Sequence, residues 1–480
     1  MSENLKSKTV RGVLWSATER FSVQALQFIL GIILARLLLP SDYGLVGMLT
    51  IFMAISQTFV DSGFSSALIQ KKNRTETDYS TVFIFNIGVG LFVYLLLYLS
   101  APFISEFYNS PELTLLTKVI GVNIIITSFS VVQQAKLNII LDFKTQAKAS
   151  LSSAFIGGCI GIALAYKGYG VWALVAQSLI INSLRTIILW HVSNWQPTTG
   201  FSKKSFDTLF SFGSKLLVTG LLNTIFINLY YLVIGKVFNA RELGFYSRAK
   251  QFQKFPSENV TGILQRVTFP VLSMIQDDNI RLEKTFRIMI RLSTFVVFPL
   301  MIGLAVVSEP LIRLLLTDKW MPAVPLLQLL CVAGITYPVH ALNLNVLSVK
   351  GRSDLILKLE IIKKLIITCA ILVTYSFGVK AMVIGQIITA AIAFIINTYY
   401  AGEMIKYGTW KQIKDMLPVA AITLIMALGS WSAMLVVDND ALKLIVGILV
   451  GSTVYLASAK IGEFDELNQL LGLISQKNIK

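Results

Sequence analysis

The sequence predicts an all-α integral membrane protein of about fourteen transmembrane helices, arranged as two six-helix lobes in a parallel pseudo-two-fold repeat plus a C-terminal helix pair. Three observations predict it: an apolar composition, fourteen apolar runs of spanning length, and short motifs that recur about 200 residues apart. Of 480 residues, 55% are hydrophobic and only 14% charged, with a mean hydropathy of +0.69. Soluble domains carry about 25% charged residues. No hydrophilic stretch exceeds about 25 residues, so nearly the whole chain is membrane.

A helix crosses a bilayer in about 20 residues at about 1.5 Å each. Runs of that kind fall at 12–39, 44–68, 81–104, 113–135, 149–166, 171–191, 215–238, 243–274, 288–312, 322–347, 359–377, 380–401, 418–437 and 441–459. The first follows a polar, basic segment with no A-x-A cleavage site and is too long for a signal-peptide core, so it is expected to stay as the first helix. The second begins after a turn through Pro40, Ser41 and Asp42, too short to hold a domain, which makes the first two helices antiparallel neighbours. The eighth is the least apolar and carries Arg248, Lys250, Lys254, Glu258 and Arg266. A soluble helix is the alternative there; the neighbouring spans and the repeat argue against it.

The net charge of +16 would suggest nucleic acid on a soluble protein. Here it is a topological signal. With the N-terminus in the cytoplasm, 27 of the 42 Lys and Arg residues fall in inside segments, 8 in outside loops and 7 within spans. Losing or adding one helix would invert every later loop and erase that asymmetry. Positive-inside bias therefore predicts an even helix count with both termini cytoplasmic.

Internal symmetry divides the chain. Arg36, Asp42 and Gly44 are matched by Lys236, Glu242 and Gly244 at an offset of 200, within 33–48 (ILARLLLPSDYGLVGM) and 234–252 (IGKVFNARELGFYSRAKQF). GVWALV at 170–175 recurs as GVKAMV at 378–383, and APFI at 101–104 as EPLI at 309–312, both at 208. The expected lobes are 1–200 and 201–402, with the terminal pair and a cytoplasmic tail in 403–480. Six helices per half is an even number, so the halves enter from the same side and repeat about an axis along the membrane normal.

A charge at the bilayer centre costs about 2.5–3.5 kcal/mol or more, so intramembrane charges normally face a water-filled interior. In the first helix Glu19 or Arg20, Gln27 and Gly31 share a face; in the second, Ser56, Gln57 and Asp61 add polar groups; in the eighth, Lys250, Lys254, Ser257 or Glu258, Thr261 and Gln265 form a stripe. Such basic stripes suit a pyrophosphate-bearing substrate. Arg20, Gln27, Gln57, Lys250 and Lys254 are the candidate substrate contacts, and Glu19, Asp61, Glu258 and His340 the candidate ion-coupling residues. Each has a structural alternative: Glu19 and Arg20 as a pair snorkelling to the cytoplasmic interface, Asp61 as a helix-bonded or ion-paired group, Lys250 and Lys254 as headgroup or intersubunit contacts. Arg185 and Arg266 read as interface anchors. His191, beside Trp190 and Trp195, has aromatic-belt composition.

Cys159, Cys331 and Cys369 each stand alone in an apolar run, without metal or disulfide spacing. No nucleophile motif, metal-ligand spacing or phosphate-cradling loop is present; Gly157, Gly158 and Gly161 fit close helix packing. The expectation is a non-enzymatic protein without a cofactor, driven by an ion or substrate gradient.

The stretch ARLLLPSDYGLVGM, followed by FVDSGFSSALIQKK at 59–72, resembles the N-terminal signature of the bacterial polysaccharide transporters. These are the repeat-unit flippases for O-antigen, capsule, colanic acid and teichuronic acid, within the multidrug/oligosaccharidyl-lipid/polysaccharide exporter superfamily. The resemblance covers essentially the whole chain. It implies transport of undecaprenyl-pyrophosphate-linked oligosaccharides across the bacterial inner membrane by alternating access, with H⁺ or Na⁺ coupling. It also implies membrane lipids and a polysaccharide polymerase or assembly protein as partners, in exopolysaccharide or lipopolysaccharide biosynthesis. The related lipid II flippase uses arginines in its first and eighth helices; here Arg20 sits comparably in the first, and Lys250 and Lys254 are the nearest positions in the eighth. A small-molecule antiporter of the same superfamily is the alternative, disfavoured by the basic stripes. A membrane polymerase or ligase needs a large outside loop, and the outside loops here hold only about ten to fifteen residues.

Overall fold

The computed structural model describes residues 21–61, 63–198 and 200–476. The described residues form nineteen α-helices and no strand. In chain order they are α1 (Phe21–Leu37), α2 (Pro40–Asp61), α3 (Phe64–Gln70), α4 (Glu76–Tyr108), α5 (Glu112–Ser128), α6 (Val131–Ile139), α7 (Phe143–Tyr166), α8 (Val171–Ser193) and α9 (Lys203–Val237). There follow α10 (Ala240–Met274), α11 (Asn279–Val306), α12 (Ser308–Leu316), α13 (Ala323–Gly334), α14 (Tyr337–Val349), α15 (Ser353–Thr374), α16 (Val379–Ile405), α17 (Thr409–Leu435), α18 (Asp440–Ile461) and α19 (Asp465–Gln476).

Among the described residues each apolar run falls on a helix or on a broken helix pair. Ten helical stretches among the described residues are long and apolar enough to cross a membrane, two of them the pairs α2 with α3 and α13 with α14, and eleven if α5 and α6, bent by 41°, count as one span. The bend follows from Ser130, whose hydroxyl bonds the Thr127 carbonyl at 2.9 Å and so competes with the helical ladder. Two long helices fall short of that standard because of their charges: α10, with Lys250, Lys254 and Glu258, and α15, with Lys358, Glu360, Lys363 and Lys364.

Local chemistry sets the helix ends. Thr75 and Asp78 close a capping box on α4; Asp142, Ser202, Asp278 and Asn439 cap α7, α9, α11 and α18. The glycines of the two GV motifs play the same part. Gly170 starts α8 at φ 54° and Gly378 starts α16 at φ 97°, a backbone region that a side chain resists. The sequence repeat is thus a repeat of helix starts.

The chain divides into two compact units, Met1–Gly244 and Phe245–Lys480. In the first, α2 packs against α4, α5 and α9, and α7 against α8. One core there gathers Phe64, Leu68, Val82, Phe83 and Trp195. Trp195 is 4% exposed and donates to Glu76 at 2.7 Å, so it belongs to this core, not to an aromatic belt. The starts of α2 and α10 also cross in this unit, at Gly44 and Gly244. In the second unit Leu272, Phe286, Ile290, Leu342 and Tyr407 form one core, and Phe295, Val419, Met426 and Tyr455 another.

Outside these cores the helices are apolar on their open faces. On α4, Leu91, Leu95, Leu99 and Phe103 recur every fourth residue and are at least half exposed. Burying such a row from water would be worth about 1.5–3 kcal/mol per side chain, so a lipid environment is what keeps it solvated. The protein is a multi-pass membrane protein.

Ion pairs join segments of one predicted side. Glu283, Arg287 and Arg291, in the first half of α11, bond Lys411 (3.1 Å), Asp415 (2.6 Å) and Glu466. All six lie in segments that the charge count places inside. On the opposite side, Arg313 bonds Glu309 (3.1 Å), Asp318 (3.1 Å) and Asp440 (3.3 Å), all predicted outside. In the first unit Lys71 and Asp78 pair at 2.7 Å within one inside segment, and Lys136 and Glu76, at 3.9 Å, join two.

Candidate functional site

In the first unit three helices each supply a polar pair at i and i+4, which places both members on one face. These are Gln57 and Asp61 on α2, Asn123 and Thr127 on α5, and Ser178 and Asn182 on α8. They form a chain of hydrogen bonds through an otherwise apolar bundle. Gln57 donates through Nε2 to Asp61 Oδ1 at 3.1 Å and accepts from the Thr127 hydroxyl at 3.0 Å. The same hydroxyl proton is shared with the Asn123 main-chain carbonyl of its own helix, 2.9 Å away. Asn123 donates to Ser178 Oγ at 3.2 Å and accepts from Asn182 Nδ2 at 2.7 Å. A polar group left alone in this setting would lose its hydration without compensation; the linkage removes that penalty. Gln57 is half-buried and Asp61 exposed.

Sequence reasoning identified Gln57 and Asp61 but missed the four residues that complete the chain. The signal was present: polar pairs four apart in apolar helices. Gln27 is exposed on α1 and has no place in this chain. Glu19 and Arg20 lie outside the described residues.

In the second unit α10 carries two polar faces where the sequence suggested one stripe. Gln253, Ser257 and Thr261 are buried and bond along the helix: Gln253 Nε2 bonds Ser257 Oγ at 3.1 Å, and Thr261 donates to the Ser257 carbonyl at 2.7 Å, while Gln253 Oε1 is left without a partner among the described residues. Gln253 packs where Gly334 of α13 has no side chain, since a Cβ there would lie 2.3 Å from its amide nitrogen. Along the neighbouring face run Lys250, Lys254 and Glu258. Lys254 and Glu258 pair at 3.3 Å, with side chains 45% and 39% exposed, so their charges cancel locally. Lys250 is half-buried, within electrostatic reach of Lys254, Glu258 and Cys331.

His340 belongs to a separate group on α14 and α16. Its Nδ1 lies 3.2 Å from the Asn397 amide nitrogen, with the ring edge-on to Phe394 at 6.4 Å. Below it, Asn343 and Gln412 exchange hydrogen bonds of 3.0 and 2.9 Å and tie α14 to α17. An apolar groove of about 490 Å³ opens between α11, α17 and α18, lined by Pro299, Leu300, Leu304, Met426, Ile448 and Tyr455 among others.

The profile of the polysaccharide biosynthesis protein family matches residues 33–325, more than half of the chain. The chain belongs to this family. The match includes the stretch 33–72 on which the resemblance rested, both polar clusters on α2 and α10, and the repeat at 234–252. Among its relatives, the teichuronic acid biosynthesis protein TuaB of Bacillus subtilis (strain 168) is 27% identical over 469 residues, covering 94% of this chain and 95% of that protein. The lipopolysaccharide biosynthesis protein WzxC of Escherichia coli (strain K12) is 26% identical, over 82% of this chain and 80% of its own length. Among solved structures, the lipid II flippase MurJ in an inward closed conformation aligns with a TM-score of 0.75 at 18% identity, covering 94% of this chain and 99% of that one. This polysaccharide biosynthesis family member has the MurJ fold.

Proposed function

We propose that the protein is a flippase, not an enzyme, which moves lipid-linked oligosaccharide repeat units across the bacterial cytoplasmic membrane by alternating access, driven by an ion gradient. The observation that carries this reading is the coincidence of the polysaccharide biosynthesis family, matched over residues 33–325, with the fold of a lipid II flippase, aligned over 94% of the chain.

The chemistry of the second unit supports it. With Lys254 neutralised by Glu258, Lys250 is the lysine of α10 left to attract a pyrophosphate. The groove between α11, α17 and α18 offers an apolar surface suited to a polyprenyl chain. Substrate and carrier would then meet through one charge contact and one apolar contact.

The proposal includes fourteen spans with both termini cytoplasmic. Parity supports it. The Arg287–Asp415 pair joins positions that must share a side, so an even number of crossings separates them. Counting α15 as a span gives four: α11 with α12, α13 with α14, α15, and α16. The helix α10, at 35 residues, is about 52 Å long and reaches across a bilayer despite its charges. A polymerase acting on the delivered repeat units is the proposed partner.

Deleting the gene tests the reading. Lipid-linked repeat units should accumulate on the cytoplasmic leaflet, and glycan display should return on complementation. If the units still reach the outer leaflet, with no second carrier in the strain, the reading fails.

A further inference from the structure

The apolar stretch that holds α2 and α3 is interrupted between the two helices, and Asp61 sits at the interruption. Its last α2 residue is Asp61; α3 begins at Phe64, after Gly63 in the left-handed region at φ 71°. Gly63 packs so closely on α9 that a Cβ would lie 2.6 Å from the Gly213 carbonyl oxygen. The break is therefore held by packing. A helix C-terminus presents carbonyls that carry partial negative charge, and broken helices in carriers use such ends to bind cations. Asp61 adds a carboxylate at that end.

No lysine or arginine among the described residues comes within ion-pairing distance of Asp61. Its hydrogen-bond partner is the neutral Gln57 amide, which donates to it. The charged and titratable groups in the predicted cytoplasmic halves of the helices packed against α2 are Lys203, Lys204, Asp207 and Lys215 on α9, Glu76, Asp78 and Tyr79 on α4, and Arg185 and His191 on α8. Asp78 is held by Lys71 at 2.7 Å, and Glu76 lies 3.9 Å from Lys136. None of these groups is an ion partner of Asp61.

We propose that Asp61 is a proton-exchange site, and that its occupancy is transmitted through Gln57 and Thr127 to α5 and α8. A proton fits better than a metal ion. The neighbour of the carboxylate is an N–H donor rather than an oxygen ligand, and no cluster of three or more His, Cys, Asp or Glu side chains surrounds it among the described residues. The proton comes from water and returns to it. Protonation removes the charge that Gln57 donates to, which alters the one side chain linking α2 to Thr127 of α5. The helix α5 is in turn tied to α8 by the Asn123 side chain, which bonds Ser178 and Asn182. The purpose assigned to the site rests on the reading of the chain as a gradient-driven carrier; the site itself does not.

The test uses the purified full chain in lipid vesicles without substrate, read by infrared difference spectroscopy between acidic and alkaline buffer. The wild type should show the C=O stretching band of a protonated carboxyl that Asp61→Asn lacks and Asp61→Glu retains at a shifted frequency. Thr127→Val should shift the band without removing it, since the proton stays on Asp61. Identical difference spectra for wild type and Asp61→Asn would overturn the proposal. So would suppression of the band by sodium chloride at constant pH, which would make the site a metal-ion site. A band present in a protein that fails to move lipid-linked oligosaccharide would leave the proton site standing and remove only the flippase reading.

Discussion

Gly44 and Gly244 interlock across the starts of α2 and α10. A Cβ on Gly44 would lie 1.6 Å from the Ala240 carbonyl oxygen, and one on Gly244 would lie 1.9 Å from the Pro40 carbonyl oxygen. Both glycines and both carbonyls are related by the same offset of 200 residues, so each repeat supplies the glycine that receives the other's backbone. The absence of two side chains is what lets the helices approach. Nearby, Gly47 receives Leu243, and Gly235 receives Met48 and Tyr108, so the crossing is tightly packed on both sides.

Gly44→Ala and Gly244→Ala should therefore each destabilise the protein, because the obstacle is backbone and cannot swing away. Overpacking of this kind costs about 1–3 kcal/mol. Gly88→Ala, in α4, meets nothing within 4 Å and should be neutral or slightly stabilising. Thermal unfolding of the purified variants in detergent checks the ordering.

The bond between Thr127 and Gln57 should show measurable coupling. A double-mutant cycle of Gln57→Leu and Thr127→Val is expected to give roughly 0.6 kcal/mol, with about 1.7 kcal/mol as the upper range for hydrogen bonds in membrane bundles. Additive single effects would mean that the two side chains do not bond.

Asp415 accepts from Arg287 at 2.6 Å and from the Tyr407 hydroxyl at 2.7 Å. Removing it as Asp415→Ala leaves the hydroxyl of the buried Tyr407 without its acceptor while the exposed Arg287 turns to water, a loss of about 1–3 kcal/mol. Glu309→Ala removes one of three carboxylates around the half-exposed Arg313, which keeps Asp318 and Asp440, and should cost at most about 0.5 kcal/mol. The comparison is read from unfolding midpoints in the same detergent.

The predicted-inside turn before α15 has a titration of its own. Arg352 bonds Asp354 through two contacts of 2.8 and 2.9 Å and holds its carboxyl down at about 2. The folded carboxyl lies below its unfolded value of about 3.9, so the stabilisation is present above that value and is lost as pH falls toward about 2. Asp354→Asn should flatten the pH dependence of unfolding in that window and remove, at neutral pH, the small stabilisation that the wild type loses only in acid. A variant whose acid limb matches the wild type would contradict the pairing.

Much of the fold was legible because a membrane imposes simple demands on a sequence. Hydropathy located every run, and the Lys and Arg count sorted the ends that the ion pairs of Arg287 and Arg313 later joined. The breaks at Gly63 and Ser130 were not legible, since hydropathy averages across them and the run continues. The echo at 234–252 was visible, but not that Gly244 touches Pro40: an offset in sequence carries no distance. The stripe on α10 was read as one face because Lys250, Lys254 and Ser257 fit one helical spacing. Packing of Gln253 against Gly334 turned the neutral residues inward and left the charged ones outside. Asn123 and Asn182 went unnoticed because each is an ordinary polar residue until the other is beside it.

The central claim is the movement of a lipid-linked oligosaccharide between leaflets, with Lys250 as a contact. The purified protein in vesicles loaded with polyprenyl-pyrophosphate-linked oligosaccharide on one leaflet measures it directly, through lectin access to the sugar on the other. The account predicts a gain of accessible sugar with the wild type, and its loss in Lys250→Ala at equal incorporation, with Lys254→Ala less affected because Glu258 already neutralises that lysine. Sugar exposure by wild type no faster than in protein-free vesicles would contradict it.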